Sequence, residues 1–193
     1  VNVVYNDSVG GARLDFLATS PSSATADFAL DGALCARSLT TGRDAVTSAA
    51  LTGTLRAQSD RVIAGVNETA LTGNLRGKPV IVVSGRSDTL VPVNHASRAY
   101  VGKNASVEGN NSKLRYIEVT NAQHFDTFIA FGALLGYDTR YVPLHPYLIR
   151  ALDAMYAHLK TGAPLPASQV VRTTPRATAA TPLTSSNVPP FVA

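Results

Sequence analysis

Residues 79–84 read Pro-Val-Ile-Val-Val-Ser, and residues 114–119 read Leu-Arg-Tyr-Ile-Glu-Val. The first run is continuously apolar and β-branched, the pattern of a strand buried on both faces of a parallel sheet. Between the two runs, Pro92 stands where a first helical turn would begin. Val93–Val101 with Gly102 then reads as a short helix with a glycine stop. Glu108–Lys113, with Gly109-Asn110-Asn111-Ser112 inside it, is a polar turn. Strand, helix and strand in about forty residues predict a βαβ unit, and an α/β fold class with it.

Each predicted strand runs into a loop with one residue suited to acid–base chemistry. Gly85-Arg86-Ser87-Asp88 follows the first, and Thr120-Asn121-Ala122-Gln123-His124 follows the second. Open α/β sheets place their sites at the carboxyl edge, where both side chains would stand. An acid after one strand and a histidine after the next is how the last two members of a Ser-Asp-His triad are laid out. Their separation, 36 residues (124 − 88), is enough for one helix and one strand, which would bring neighbouring strand ends together. Asp88 could then accept the Nδ1 proton of His124 and leave Nε2 free as base. The competing readings are an Asp88 that caps the helix entering at Pro92, and a His124 bonded only to loop backbone. Ser87 reads as turn chemistry. His95, His145 and His158 read as surface or capping residues, and Asp126 as the N-cap of a helix carrying Phe128, Ile129, Phe131, Leu134 and Leu135 up to Gly136.

Upstream, Val1–Tyr5 is a possible short strand. Residues 31–76 show apolar residues loosely at helical spacing, interrupted by glycines, and read as short helices. Downstream, Pro146–Thr161 predicts a helix with Leu148, Leu152, Met155 and Leu159 on one stripe and Arg150, Asp153 and Lys160 off it, closed by Gly162 and Pro164. Six of the 11 prolines follow, so 163–193 reads as an extended surface tail. The net charge of +4 is thin and its Lys and Arg are scattered, which argues against nucleic-acid binding. No stretch is long and apolar enough to span a bilayer. The lone Cys35 can form no internal disulfide, reads as a small buried apolar residue, and belongs to no metal-binding pattern.

The nucleophile is the missing member. No Gly-x-Ser-x-Gly occurs. The nearest approach, Asn6-Asp7-Ser8-Val9-Gly10-Gly11, puts Asn where the elbow needs a small residue, and too little chain precedes Ser8 for the strands that normally come first. Ser8 is a weak candidate, and the nucleophile is expected outside this chain. The chain opens Val1-Asn2-Val3 with no initiator methionine, and reads as processed or as a portion of a longer polypeptide.

Several stretches resemble the C-terminal part of the D-(−)-3-hydroxybutyrate oligomer hydrolases. They are Gly85-Arg86-Ser87-Asp88-Thr89-Leu90-Val91-Pro92-Val93-Asn94-His95, Asn121-Ala122-Gln123-His124-Phe125-Asp126, Gly136-Tyr137-Asp138 and Val142-Pro143-Leu144-His145-Pro146-Tyr147, with Asp31-Gly32-Ala33-Leu34-Cys35 upstream. The resemblance implies a bacterial, secreted or periplasmic esterase that cleaves short 3-hydroxybutyrate oligomers to monomers, downstream of a polyester depolymerase. It implies residues 78–162 as the C-terminal part of an α/β-hydrolase core of parallel strands with flanking helices. Residues 1–77 would be a mostly helical, cap-like segment and 163–193 the extended tail. Asp88 and His124 would be the acid and base, the partner the remaining N-terminal part of the same protein, and no metal or organic cofactor would be needed. Tannases and feruloyl esterases are an alternative, weakened because no Cys flanks Asp88 or His124. A non-catalytic hydrolase-like module is another.

Overall fold

The structure is a computed structural model that describes residues 20–24, 30–130, 132 and 136–192. The strand expected over Val1–Tyr5, the turn holding Ser8, and Phe131, Leu134 and Leu135 lie outside the described residues. The chain forms two compact units, Val1–Ala70 and Leu71–Ala193.

In the first unit, helices α1 (Leu30–Thr41) and α2 (Gly53–Thr69) pack against each other. The buried Ser59 hydroxyl donates to the Leu39 carbonyl at 2.7 Å and ties the two helices together. Between them an Arg43–Ala50 antiparallel bridge is closed by the Asp44 carboxylate, which accepts the Val46 and Thr47 amides. Asp31 in the first turn of α1 accepts the Ser22 amide at 2.8 Å and so anchors the preceding turn. Cys35, expected as a buried residue, is exposed: α1 has no residue buried deeply enough to make a core of its own.

In the second unit, β1 (Val80–Gly85), α3 (Ser97–Glu108) and β2 (Leu114–Val119) form the βαβ unit, β1 and β2 paired in parallel from Val80↔Leu114 to Gly85↔Val119. The helix starts later and ends later than its sequence suggests. Pro92 opens a turn in which His95 donates to the Pro92 carbonyl, and Gly102 lies inside α3 rather than at its end. A helix interior tolerates glycine at a cost of about 1 kcal/mol, and the stop comes at Gly109, whose φ of +53° suits a residue without Cβ. Glu108 through Ser112 is, as expected, a tight polar turn.

Part of the extended segment after Gly162 joins the sheet. Gln169–Val171 is a third strand, β3, parallel to β2, so the sheet order is β1-β2-β3 and β2 is central. The core joins Ile117, Val119, Ala122, Val142, Tyr147 and Val171, with Val188 and Phe191 packed against it. Helix α4 spans Thr127–Ala130, and α5 (His145–Thr161) is the next helix given a range here. Tyr147 and Ala151 of α5 face the core, and Arg150 clamps the tail by donating to the Val188 and Pro189 carbonyls at 3.1 and 2.9 Å. The extended segment after Gly162 is therefore fastened along the sheet and α5.

Candidate active site

The strand alternation of β2 splits its side chains between two faces. Ile117 and Val119 enter the core, while Tyr116 and Glu118 turn toward α3. Both β1 and β2 end at the same edge, and the backbone beyond them is stapled together. The Arg86 amide donates to the Val119 carbonyl at 2.8 Å and the Ser87 amide to the Ala122 carbonyl at 3.0 Å. A Cβ on Gly85 would stand 2.5 Å from the Ala122 oxygen, so only glycine lets the two loops approach this closely.

That approach brings Asp88 and His124 together: Nδ1 of His124 lies 2.8 Å from Oδ2 of Asp88. The other carboxylate oxygen, Oδ1, accepts the amides of Leu90 and Val91 at 2.9 and 2.8 Å. The two readings of Asp88 thus coexist, one on each oxygen. One oxygen folds the turn at Pro92, and the other faces the imidazole. Asp88 is nearly buried and His124 one-third exposed, at 12% and 33% of their side-chain surfaces. The proton on Nδ1 leaves Nε2 as the acceptor nitrogen. Phe125 packs edge-on against the imidazole, the ring centres 4.3 Å apart.

The His124 loop is held at three points. Asn121 has a φ of +54°, which Asn tolerates better than most residues, and its Nδ2 donates to the Thr173 carbonyl at 2.9 Å. Its own carbonyl accepts the Val142 amide at 2.8 Å. Asp126 directly precedes α4, and its carbonyl accepts the Ile129 amide at 2.9 Å. Its carboxylate reaches across the chain to accept the Leu144 and His145 amides, both at 2.7 Å, and so caps the N-terminus of α5. His145 is thereby fixed beside His124, and both line one cavity. His158 Nδ1 donates to the Ala163 carbonyl, 2.7 Å away, where α5 ends, and His95 lies in the turn after Pro92.

Two cavities meet at His124. One, of about 280 Å³, is lined by Asp88, Ser84, Ser97 and Val91 among others. The second, of about 320 Å³, is lined by Val83, Phe125, Leu144 and Leu148 and includes no part of Asp88. Val83, His124 and Leu144 belong to both.

Sequence reasoning missed Glu118. It is buried in β2, and its carboxylate receives Arg86 Nε, Arg98 Nε and Nη2 from α3 (2.8 and 2.6 Å), and the Tyr116 hydroxyl (2.9 Å). Hydrogen bonds from Arg98 and then Arg86 hold the carboxyl at a pKa of about 2 against burial, which works the other way. Burial pushes the Tyr116 phenol up. Arg86 stands two residues before Asp88, so this buried charge cluster underpins the acid-bearing loop. A Glu set between the apolar Ile117 and Val119 of a strand was the available signal, because a buried carboxylate requires partners. Among the described residues no group of three His, Cys, Asp or Glu side chains is placed to hold a metal ion.

Comparison with known proteins adds the family. The family model described as 3HB-oligomer hydrolase (3HBOH) matches residues 1–193. Relatives named D-(-)-3-hydroxybutyrate oligomer hydrolase are similar along nearly the whole chain. The protein from Paracidovorax citrulli is 53% identical over 98% of this chain, that from Azoarcus sp. 48% over 99%, and that from Ralstonia pickettii 51% over 99%. The chain spans only about a quarter of these curated relatives' own length: 26%, 26% and 24%. No solved structure matches.

Proposed function

The chain belongs to the 3HB-oligomer hydrolase family, and on that premise we propose that it carries the acid and base of a Ser-Asp-His esterase that cleaves 3-hydroxybutyrate oligomers to monomers. The observation that supports this reading most directly is the 2.8 Å approach of His124 Nδ1 to Asp88 at the common edge of two parallel strands. Asp88 holds the imidazole in the tautomer whose Nε2 can take a proton, and stabilises the imidazolium that results. Nε2 removes the proton of a serine hydroxyl supplied by polypeptide beyond this chain, and the oxygen attacks the ester carbonyl. The ester C–O bond then breaks, the imidazolium protonates the departing alkoxide oxygen to a hydroxyl, and an acyl-enzyme remains. Water repeats the cycle and frees the 3-hydroxybutyrate.

In the same reading the sheet and its helices are the C-terminal part of an α/β-hydrolase core, residues 1–77 a cap-like segment, 163–193 an extended tail, and the protein is secreted or periplasmic. The test is His124→Ala in the polypeptide at its relatives' full length, with 3-hydroxybutyrate trimer as substrate. Turnover is expected to fall by about 10⁴-fold or more with an unchanged circular-dichroism spectrum. Turnover within tenfold of the parent would refute the assignment.

A further inference from the structure

We propose, resting on the Ser-Asp-His reading, that Ser97 recognises the hydroxyl end of the oligomer by accepting a hydrogen bond from its terminal 3-hydroxyl group. Ser97 is the first residue of α3, and it lines the cavity of about 280 Å³ that Asp88 and His124 also line. The direction of a chain of hydrogen bonds fixes what it can do there. Glu118 is ionised at neutral pH, held so by Arg98 and Arg86, and a carboxylate only accepts. The Tyr116 hydroxyl therefore gives its one proton to Glu118, 2.9 Å away. Its oxygen is left as an acceptor, so the Ser97 hydroxyl, at 3.1 Å, is the donor to it. With that proton committed to Tyr116, Ser97 has only lone pairs to offer the cavity.

An acceptor selects a ligand that brings a donor. In a 3-hydroxybutyrate oligomer the ester oxygens and the terminal carboxylate only accept, and the 3-hydroxyl at the other end is the one donor. Asp88 is already engaged, one oxygen with the Leu90 and Val91 amides and the other with His124. Val83, Val91, Val93 and Leu144 line the same cavity and suit the methyl group of the unit. Seated this way, the hydroxyl-terminal unit presents its ester to His124 and becomes the acyl group on the serine. The shortened oligomer departs as the alcohol, and water then cleaves the acyl bond to release the monomer.

The polypeptide at its relatives' full length is given 3-hydroxybutyrate trimer and an analogue ending in butyryl, which lacks only the terminal hydroxyl. The parent is expected to favour the first by about tenfold or more in kcat/KM, and Ser97→Ala to bring that ratio to within about threefold of one. Tyr116→Phe frees the Ser97 proton without removing Ser97. A trimer ending in 3-oxobutyryl, whose ketone only accepts, is then expected to gain about tenfold against 3-hydroxybutyrate trimer relative to the parent. Comparing ratios between proteins cancels the analogue's own reactivity. A trimer labelled in its hydroxyl-terminal unit is expected to release the label first as monomer. An unchanged hydroxyl preference in Ser97→Ala, an unchanged 3-oxo ratio in Tyr116→Phe, or label released first as dimer would overturn the proposal. Turnover that survives His124→Ala refutes the triad while the ratios still report on Ser97. Turnover lost in His124→Ala, with ratios indifferent to Ser97, refutes the recognition alone.

Discussion

Replacing Glu118 by glutamine keeps the shape of the buried side chain and removes its charge, which makes it a direct test of the cluster beneath the Asp88 loop. In the folded chain the carboxyl has a pKa of about 2 against an ordinary 4.5, held there chiefly by Arg98 and Arg86. At about 1.4 kcal/mol for each tenfold change in proton affinity, that difference is equivalent to about 3 kcal/mol of folding stability at neutral pH. It is an upper bound, because the Arg86 and Arg98 side chains are 38% and 41% exposed and recover hydration when unpaired. The sign follows from linkage. Between pH 4.5 and 2 the unfolded chain binds the proton that the folded chain refuses, so stability rises with pH in this window. The contribution is complete above about pH 4.5, has fallen to about 1 kcal/mol at pH 3, and is lost once the pH passes below 2. Urea denaturation of parent and Glu118→Gln between pH 2.5 and 7 measures this. The gap in unfolding free energy is expected to approach 3 kcal/mol at pH 7 and to close as Glu118 itself protonates. A gap that is absent at pH 7, or that stays constant with pH, would refute the electrostatic account and leave packing as the cause.

Two further substitutions probe how the loops are held. Gly85→Ala drives a methyl against the Ala122 carbonyl, and overpacking of this kind costs about 1–3 kcal/mol. If the parent shows a downfield proton resonance for the His124 Nδ1–Asp88 hydrogen bond, it is expected to weaken or vanish with this substitution, and a retained resonance with unchanged stability would show that the loops have room. Asn121→Ala removes the bond to the Thr173 carbonyl and puts a less tolerant residue at positive φ. A loss of about 1–3 kcal/mol in the denaturation free energy is expected, and none would mean that Thr173 does not anchor this loop.

What the sequence showed most clearly was whatever is encoded locally and continuously. The β-branched run at residues 80–83 and the alternation at 114–119 announce strands whose observed bounds differ from the reading by a residue at most. The loops after them hold Asp88 and His124 at a spacing that one helix and one strand account for. What was not legible depends on contacts between distant residues. β3 is three residues among prolines and threonines, and it exists because the β2 edge some fifty positions upstream is open to it. Asp126 carries an N-cap signal for the helix directly after it, and nothing local announces that its carboxylate accepts the Leu144 amide, 18 residues away at the start of α5. The stripe expected over Leu148, Leu152, Met155 and Leu159 does not meet the described core, since Leu148, Leu152 and Leu159 are exposed, and sequence periodicity alone does not say which face packs inward. Tyr147 and Ala151 won that face.

These same long-range contacts set the acid–base pair, and they do so through backbone. Gly85 and Ser87 lock one loop to the carbonyl of Ala122. Asn121 ties the other to Thr173 beyond β3, and Asp126 ties it to the start of α5. None of these fastenings uses the imidazole or the Asp88 carboxylate oxygen that faces it. The 2.8 Å approach is therefore imposed by the frame rather than created by the pair's own attraction, which is what preorganisation requires. A histidine one-third exposed and held only by its carboxylate would spend much of its time in other rotamers. Here the loop positions are over-determined, and the imidazole has Asp88 as its partner at Nδ1.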